Sequence, residues 1–323
     1  MPKDWNIPAE LQPDPANYVF NLDAVLGAVV ALRATAPADA FTASALGTER
    51  EGSGVVIGDD GLILTIGYLI TEAEEVWITT VDGRSVPGHA LAFDAESGFG
   101  LVQPLGKLAA AKLELGDSEG AALGEPVLFA SAGGRRRAIE SRVVGRQEFA
   151  GYWEYLLEDA IFIAPAHPFW GGGALIDKRG KLVGIGSLSL QQGDARGNRL
   201  DMNMVVPIDL LRPILGDLRL YGQVNRPPQP WLGVYAMEDD ERVVIGGVAE
   251  GGPADHAGLR QGDQVLAIDD DDVTDLAGFW RSVRERGPAG ARVTLSVQRD
   301  HRRIRVPIAT VDRRRLLKGP RMH

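Results

Sequence analysis

Residues 54–65 read Gly54-Val55-Val56-Ile57, then Gly58-Asp59-Asp60-Gly61, then Leu62-Ile63-Leu64-Thr65. Two short aliphatic runs flank an Asp/Gly turn, which is the pattern of a tight β-hairpin. The same grammar recurs outward. Glu75-Val76-Trp77-Ile78-Thr79-Thr80 ends at Asp82-Gly83, and Pro126-Val127-Leu128-Phe129-Ala130 is a further apolar run. Gly173-Ala174-Leu175-Ile176 and Lys181-Leu182-Val183-Gly184-Ile185 flank a turn from Asp177 to Gly180. Strands at this spacing, with little amphipathic helix between them, predict an all-β barrel or sandwich over most of residues 24–215. Residues 207–215 read as a closing helix.

The composition changes at residues 216–230. Gln223-Val224-Asn225-Arg226-Pro227-Pro228-Gln229-Pro230 mixes prolines with polar residues and reads as a semi-rigid linker. Beyond it, residues 231–310 predict a compact unit with strands near 231–237, 243–248, 264–268, 292–298 and 304–308. One helix is expected over 275–286, with Thr274 as its N-cap and Gly287-Pro288 as its stop. Leu276, Phe279, Trp280 and Val283 recur at i, i+3, i+4 and i+7, a face suited to packing on a sheet.

A chain of 323 residues with 45% hydrophobic and 24% charged residues is an ordinary globular composition with room for two or three cores. The net charge, 34 − 44 = −10, argues against nucleic acid, which needs clustered Lys and Arg. The runs Arg135-Arg136-Arg137 and Arg313-Arg314-Arg315 read as solvated surface, as does the acidic run Asp269-Asp270-Asp271-Asp272. There is no Cys, so disulfides, cysteine nucleophiles and thiolate metal sites are excluded. Metal-ligand spacing is absent and no cofactor is expected. No apolar run approaches the ~20 residues of a membrane span. The polar, Pro-rich start carries no secretory leader, so a cytoplasmic location is expected if Met1 is the native start, and a periplasmic one otherwise.

Six motifs in order resemble the HtrA/DegP-type trypsin-like serine proteases. They are Gly52-Ser53-Gly54-Val55-Val56, Asp60 to Thr65, Lys112-Leu113-Glu114-Leu115-Gly116-Asp117-Ser118, Gly124-Glu125-Pro126-Val127-Leu128, Gly172-Gly173-Ala174-Leu175 with the following Gly180 to Ile185, and Val205-Val206-Pro207. The resemblance covers most of residues 20–310. It implies a mainly β fold, a chymotrypsin-like double β-barrel at 23–215 followed by a small α+β PDZ domain at 231–311. An N-terminal segment (1–22), the linker (216–230) and a basic tail (312–323) complete the organisation.

The catalytic positions implied by the resemblance are all altered. The family's LTNNHVV is Leu64-Thr65-Ile66-Gly67-Tyr68-Leu69-Ile70 here, which puts Tyr68 at the histidine. A phenol, with a pKa near ~10, is a poor base at neutral pH. The family's DPxTDIALL is Asp94-Ala95-Glu96-Ser97-Gly98-Phe99-Gly100-Leu101-Val102, which puts Gly98 at the aspartate. Its GNSGGPL is Phe169-Trp170-Gly171-Gly172-Gly173-Ala174-Leu175, which puts Gly171 at the serine. Acyl transfer needs nucleophile, base and orienting carboxylate together, and no catalytic residue is expected. Phe169 also replaces the glycine whose amide helps build the oxyanion hole, and Phe169 and Trp170 are placed to fill the cleft.

Substitutes are few. The histidines are His89, His167, His256, His301 and His323, and only His167, four residues before Gly171, falls near the cleft. With no adjacent Ser or Thr it reads as a pocket residue. Ser97 and Ser53 read as framework. Tyr68, His167 and Trp170 could instead line a ligand pocket.

The second unit keeps its motifs. Glu250-Gly251-Gly252-Pro253-Ala254-Asp255-His256-Ala257-Gly258-Leu259 with Gly262-Asp263 resembles the GPAxxAGLxxGD turn of PDZ domains in such proteases. The resemblance places the carboxylate-binding loop and peptide-binding edge at Trp231, Leu232, Gly233, Val234 and Tyr235. Trp231 is large for its place and is a candidate to cover the groove. Trp5, Tyr18 and Phe20 stand where the family builds a trimer interface; otherwise they pack on their own barrel. The expected activity is that of a pseudoprotease, a scaffold or regulator that binds C-terminal or unfolded polypeptide segments and pairs with an active protease relative. The alternative is an active endopeptidase with displaced catalytic residues.

Overall fold

The computed structural model describes residues 5–193, 199–240 and 242–319. The end of the predicted basic tail, with His323, and residues 1–4 of the N-terminal segment lie outside the described residues. The chain forms two units. One holds residues up to Gln147 with Asp159–Val224; the other holds Glu148–Glu158 with Asn225–Lys318.

The first unit is two closed six-stranded barrels. The first comprises β1 (Val29–Thr35), β2 (Glu49–Val56), β3 (Ile63–Ile66), β4 (Glu75–Thr79), β5 (Ser85–Phe93) and β6 (Phe99–Pro104), in the order β1-β2-β3-β6-β5-β4. The second comprises β7 (Pro126–Ala130), β8 (Ala138–Gly151), β9 (Tyr155–Ala164), β10 (Ala174–Ile176), β11 (Leu182–Gly193) and β12 (Arg199–Pro207), in the order β10-β11-β12-β9-β8-β7. The hairpin read at 54–65 forms as expected, with Val55 opposite Leu64 and Val56 opposite Ile63. Its turn closes because the Asp60 carboxylate accepts the Leu62 amide at 3.2 Å and Gly61 takes φ +81°, a conformation open to glycine. Val55, Ile63, Leu64, Leu101 and Val102 are fully buried in the first barrel. Phe129, Ile161, Ile163, Leu175, Val183 and Val205 fill the second.

The second unit is a sheet of β13 (Val234–Asp239), β14 (Arg242–Val248), β15 (Gln264–Ile268), β17 (Arg292–Arg299) and β18 (Arg302–Ala309) in that order, with β16 (Asp271–Asp272) paired to β15. The helix Leu276–Glu285 lays Leu276, Phe279, Trp280 and Val283 into the core, as their spacing predicts. Leu156, from the tip of the β8–β9 hairpin, is buried in the same core.

Several expectations are corrected. Residues 207–215 are not a helix: only Ile208–Leu210 makes a 3₁₀ turn, and Pro213, which lacks an N–H, prevents extension. The helix comes instead at Leu215–Tyr221, nearly all of it in the predicted linker. The cap of Leu276–Glu285 is Asp275, whose carboxylate accepts the Gly278 amide at 2.7 Å, while the Thr274 hydroxyl donates to that carboxylate. Asp269 is not merely solvated: it pairs with Arg286 at 2.8 Å and accepts the Thr294 amide. Arg313 is not simply surface either, since its guanidinium lies 5.9 Å over the Trp231 ring. Among the described residues no helix is long and apolar enough to cross a membrane, and no group of three His, Cys, Asp or Glu could hold a metal.

A buried ionic network escaped the sequence reading. Arg50, only 5% exposed, donates to the carbonyls of Gly47, Tyr68 and Thr71 and to the Thr42 hydroxyl. Glu72, beside it, accepts the Phe41 and Thr42 amides and the Thr42 hydroxyl. Together they hold the turn that carries Tyr68. Replacing Arg50 by Met leaves Glu72 and three carbonyls without their cation, so a loss of about 3–5 kcal/mol in urea unfolding is expected.

Candidate functional site

The turns that would carry a triad are brought together. Gly67–Leu69 is a 3₁₀ turn after β3. The Gly67 amide donates to the Gly98 carbonyl at 2.7 Å, and the Gly171 carbonyl accepts the Ser53 amide at 2.8 Å. These bonds, with the approach of Tyr68 to Gly171, bring the turns that carry Tyr68, Gly98 and Gly171 close to one another.

Residue 171 has no room for a larger side chain as the cleft stands. A Cβ built on Gly171 would sit 2.8 Å from the Tyr68 hydroxyl. That hydroxyl is fixed: it donates to the Ser187 carbonyl at 2.9 Å and accepts from the Trp170 indole. Burial pushes its pKa above the ordinary phenol value, so it stays protonated. Gly98 has φ +81°, where an aspartate would be strained.

His167 is fully buried. Its Nδ1 accepts the Phe169 amide at 3.0 Å, and its Nε2–H points to the Arg137 carbonyl at 3.1 Å. Trp5, Phe129 and Phe169 surround the ring. Burial lowers its pKa to about 4. The imidazole is thus neutral, with both nitrogens engaged, and does not line an open pocket. It also holds the Phe169 amide, the one the resemblance places at the oxyanion hole. Ser131, unnoticed in the sequence, lies 3.5 Å from Nε2, but it is itself buried and Nε2 carries the proton. Ser97 caps its turn on Asp94 at 2.7 Å, and the Ser53 hydroxyl accepts the Ala132 amide. Tyr18 donates to Glu140 at 2.8 Å, and Phe20 packs on Gly180, so these rings and Trp5 engage their own barrel.

The loop at residues 231–235, expected to bind peptide, is held by the chain itself. Trp231 does not cover it: the ring is buried behind the loop, where a Cβ on Gly233 would sit 3.0 Å from it. The amides of Leu232, Gly233 and Val234 converge on one acceptor, the carboxylate of Glu154, at 3.1, 2.7 and 3.0 Å. The Ala236 amide on β13 donates to the Tyr152 carbonyl at 2.8 Å, and the Trp280 indole donates to the Gly151 carbonyl at 2.9 Å. Tyr235 stands near Tyr152, ring centroids 6.1 Å apart. Removal from water outweighs the three amides and Arg313 and raises the Glu154 pKa to about 7. The sequence signal for this segment was the aromatic run Tyr152-Trp153-Glu154-Tyr155 at a hairpin tip.

Residues 52–185 match the trypsin-like peptidase domain family, and residues 230–310 match the PDZ domain family. The chain thus joins a trypsin-like peptidase domain to a PDZ domain, and its relatives are HtrA-like. It is 27% identical over 272 residues to the serine protease PepD of Mycobacterium tuberculosis, covering 77% of this chain and 58% of that protein. It is 27% identical over 294 residues to the putative serine protease HhoA of Synechocystis, covering 82% and 71%. A probable periplasmic DegP-like serine endoprotease of Halomonas elongata is 26% identical, with 80% and 56% covered. The chain thus spans little more than half the length of PepD and of the DegP-like protein. Two solved structures share its fold. The structure of the HtrA-type protease AlgW with a decapeptide gives a TM-score of 0.53 at 21% identity, covering 96% of this chain and 100% of that one. The serine endoprotease from Yersinia pestis gives 0.52 at 19%, covering 91% and 98%.

His167 gives the trypsin-like body a pH signature. Between pH 6.5 and 4 the unfolded imidazole takes a proton that the folded one refuses. Stability is therefore expected to fall by about 3 kcal/mol as pH drops through that window, and to level off below it. His167→Phe should flatten that part of the urea-unfolding pH profile while lowering stability at pH 7.

Proposed function

We propose that the chain is a pseudoprotease: an HtrA-type scaffold that binds polypeptide ends through its PDZ unit and whose body cuts nothing. The observation that carries this reading is the space at residue 171, where the place of a nucleophile is closed by the Tyr68 hydroxyl 2.8 Å from a built Cβ. The reading is supported by the loss of base and carboxylate at Tyr68 and Gly98, and by the Phe169 amide turning to His167. In well-studied enzymes, removal of a triad costs on the order of 10⁶ in turnover. Among the described residues the Ser131–His167 approach is buried, which argues against a displaced active site there.

The binding half of the proposal rests on convergent amides beside the β13 edge, the geometry that takes a carboxylate and adds a strand. The AlgW structure, which contains a decapeptide, is consistent with it. Self-assembly belongs to the same reading, because Val19 stands 94% exposed between Tyr18 and Phe20. Light scattering that returned a monomer would remove that part.

Purified protein is expected neither to cleave casein nor to react with a fluorophosphonate probe. Gly171→Ser alone should also stay unlabelled, for want of an imidazole and of room. Labelling of any serine in the unaltered protein would overturn the proposal and locate the true site.

A further inference from the structure

The groove of the second unit is already filled by the chain itself. Its loop offers three amides to a carboxylate, and the carboxylate present belongs to Glu154. Two residues earlier, the Tyr152 carbonyl bonds the Ala236 amide on the β13 edge; one residue earlier still, Gly151 bonds Trp280. This is how a bound chain terminus is held: an end carboxylate on the loop, and a carbonyl upstream on the neighbouring strand. A chain that continues past the loop cannot supply a terminal carboxylate there. Glu154 solves this with its side chain, while φ of +64° turns the backbone away toward Tyr155. A non-glycine residue holds that conformation at a cost of about 1 kcal/mol or more. The surroundings maintain it: Leu156 is buried in the core, Arg281 pairs with Glu148, and the Arg284 guanidinium reaches the Leu156 carbonyl.

We infer that Glu154 is an internal ligand of the PDZ loop, and that a polypeptide with a free C-terminal carboxylate binds only by displacing it. The inference rests on the peptide-binding reading above and gives it a regulatory consequence. The unit rests closed, and its apparent affinity for a terminus is reduced by the fraction of time Glu154 holds the loop. An internal acidic stretch of a partner, by contrast, would have to compete without the advantage of being tethered.

Full-length protein and its Glu154→Ala and Glu154→Gln variants would be assayed on an array of decapeptides with free C-terminal carboxylates and varied apolar last residues. The amidated copy of the array is the control. Glu154→Ala should bind the free-carboxylate array at least tenfold more tightly than the unaltered chain, Glu154→Gln by less, and none should bind the amidated copy. Equal affinity of all three proteins would overturn the inference. Hydrogen exchange separates the remaining case, in which no protein binds any peptide. There, faster exchange of the Leu232–Val234 amides in Glu154→Ala would keep Glu154 as the resident ligand and sink the peptide-binding reading. Unchanged exchange would overturn the occupancy itself.

Discussion

Three adjacent backbone amides aimed at one point must find an acceptor. A buried donor left unpaired costs roughly 1–3 kcal/mol, and the loop at Leu232, Gly233 and Val234 presents three. This constraint decides what the second unit is made of. Residues 225–318 supply the sheet and the helix, but the acceptor comes from Glu154, with Leu156 following into the core. Lifting the acceptor from water is itself unfavourable, which is why its pKa rises to about 7 even with three donors around it. The interaction is held by geometry, and a better-solvated competitor with the same geometry can replace it.

The cleft of the body follows a similar logic with different groups. Where catalysis would need exposed, mobile partners, each polar atom is committed. The Tyr68 hydroxyl is shared by Ser187 and Trp170, and the His167 nitrogens are shared by Phe169 and Arg137. Arg50 ties the Tyr68 turn to Glu72. On the pseudoprotease reading proposed above, such a cleft has no reason to keep strained or unsatisfied groups.

What the sequence revealed was local. The hairpin at 54–65 and the changed residues at 68, 98 and 171 sit inside motifs whose turn chemistry fixes the backbone within a few positions. The amphipathic face at 276–283 was equally plain, because periodicity needs no distant partner. Glu154 was hidden, since its donors lie about eighty positions away and a lone glutamate at a hairpin tip reads as solvated surface. The roles of Arg50 and His167 were hidden for the same reason: each acts through carbonyls and amides that carry no residue-type signal. Asp275 caps rather than Thr274 because its carboxylate reaches the Gly278 amide while the Thr274 hydroxyl donates to that carboxylate.

The hairpin tip also has a place in time. Glu154 leaves the ribosome about eighty residues before the loop that receives it, roughly 4–16 s earlier at ordinary elongation rates. During that interval the two barrels can close while Leu156 remains uncovered. The second unit then folds around a segment already anchored at both ends in β8 and β9. The hairpin tip is therefore synthesised well before the core that takes up its Leu156.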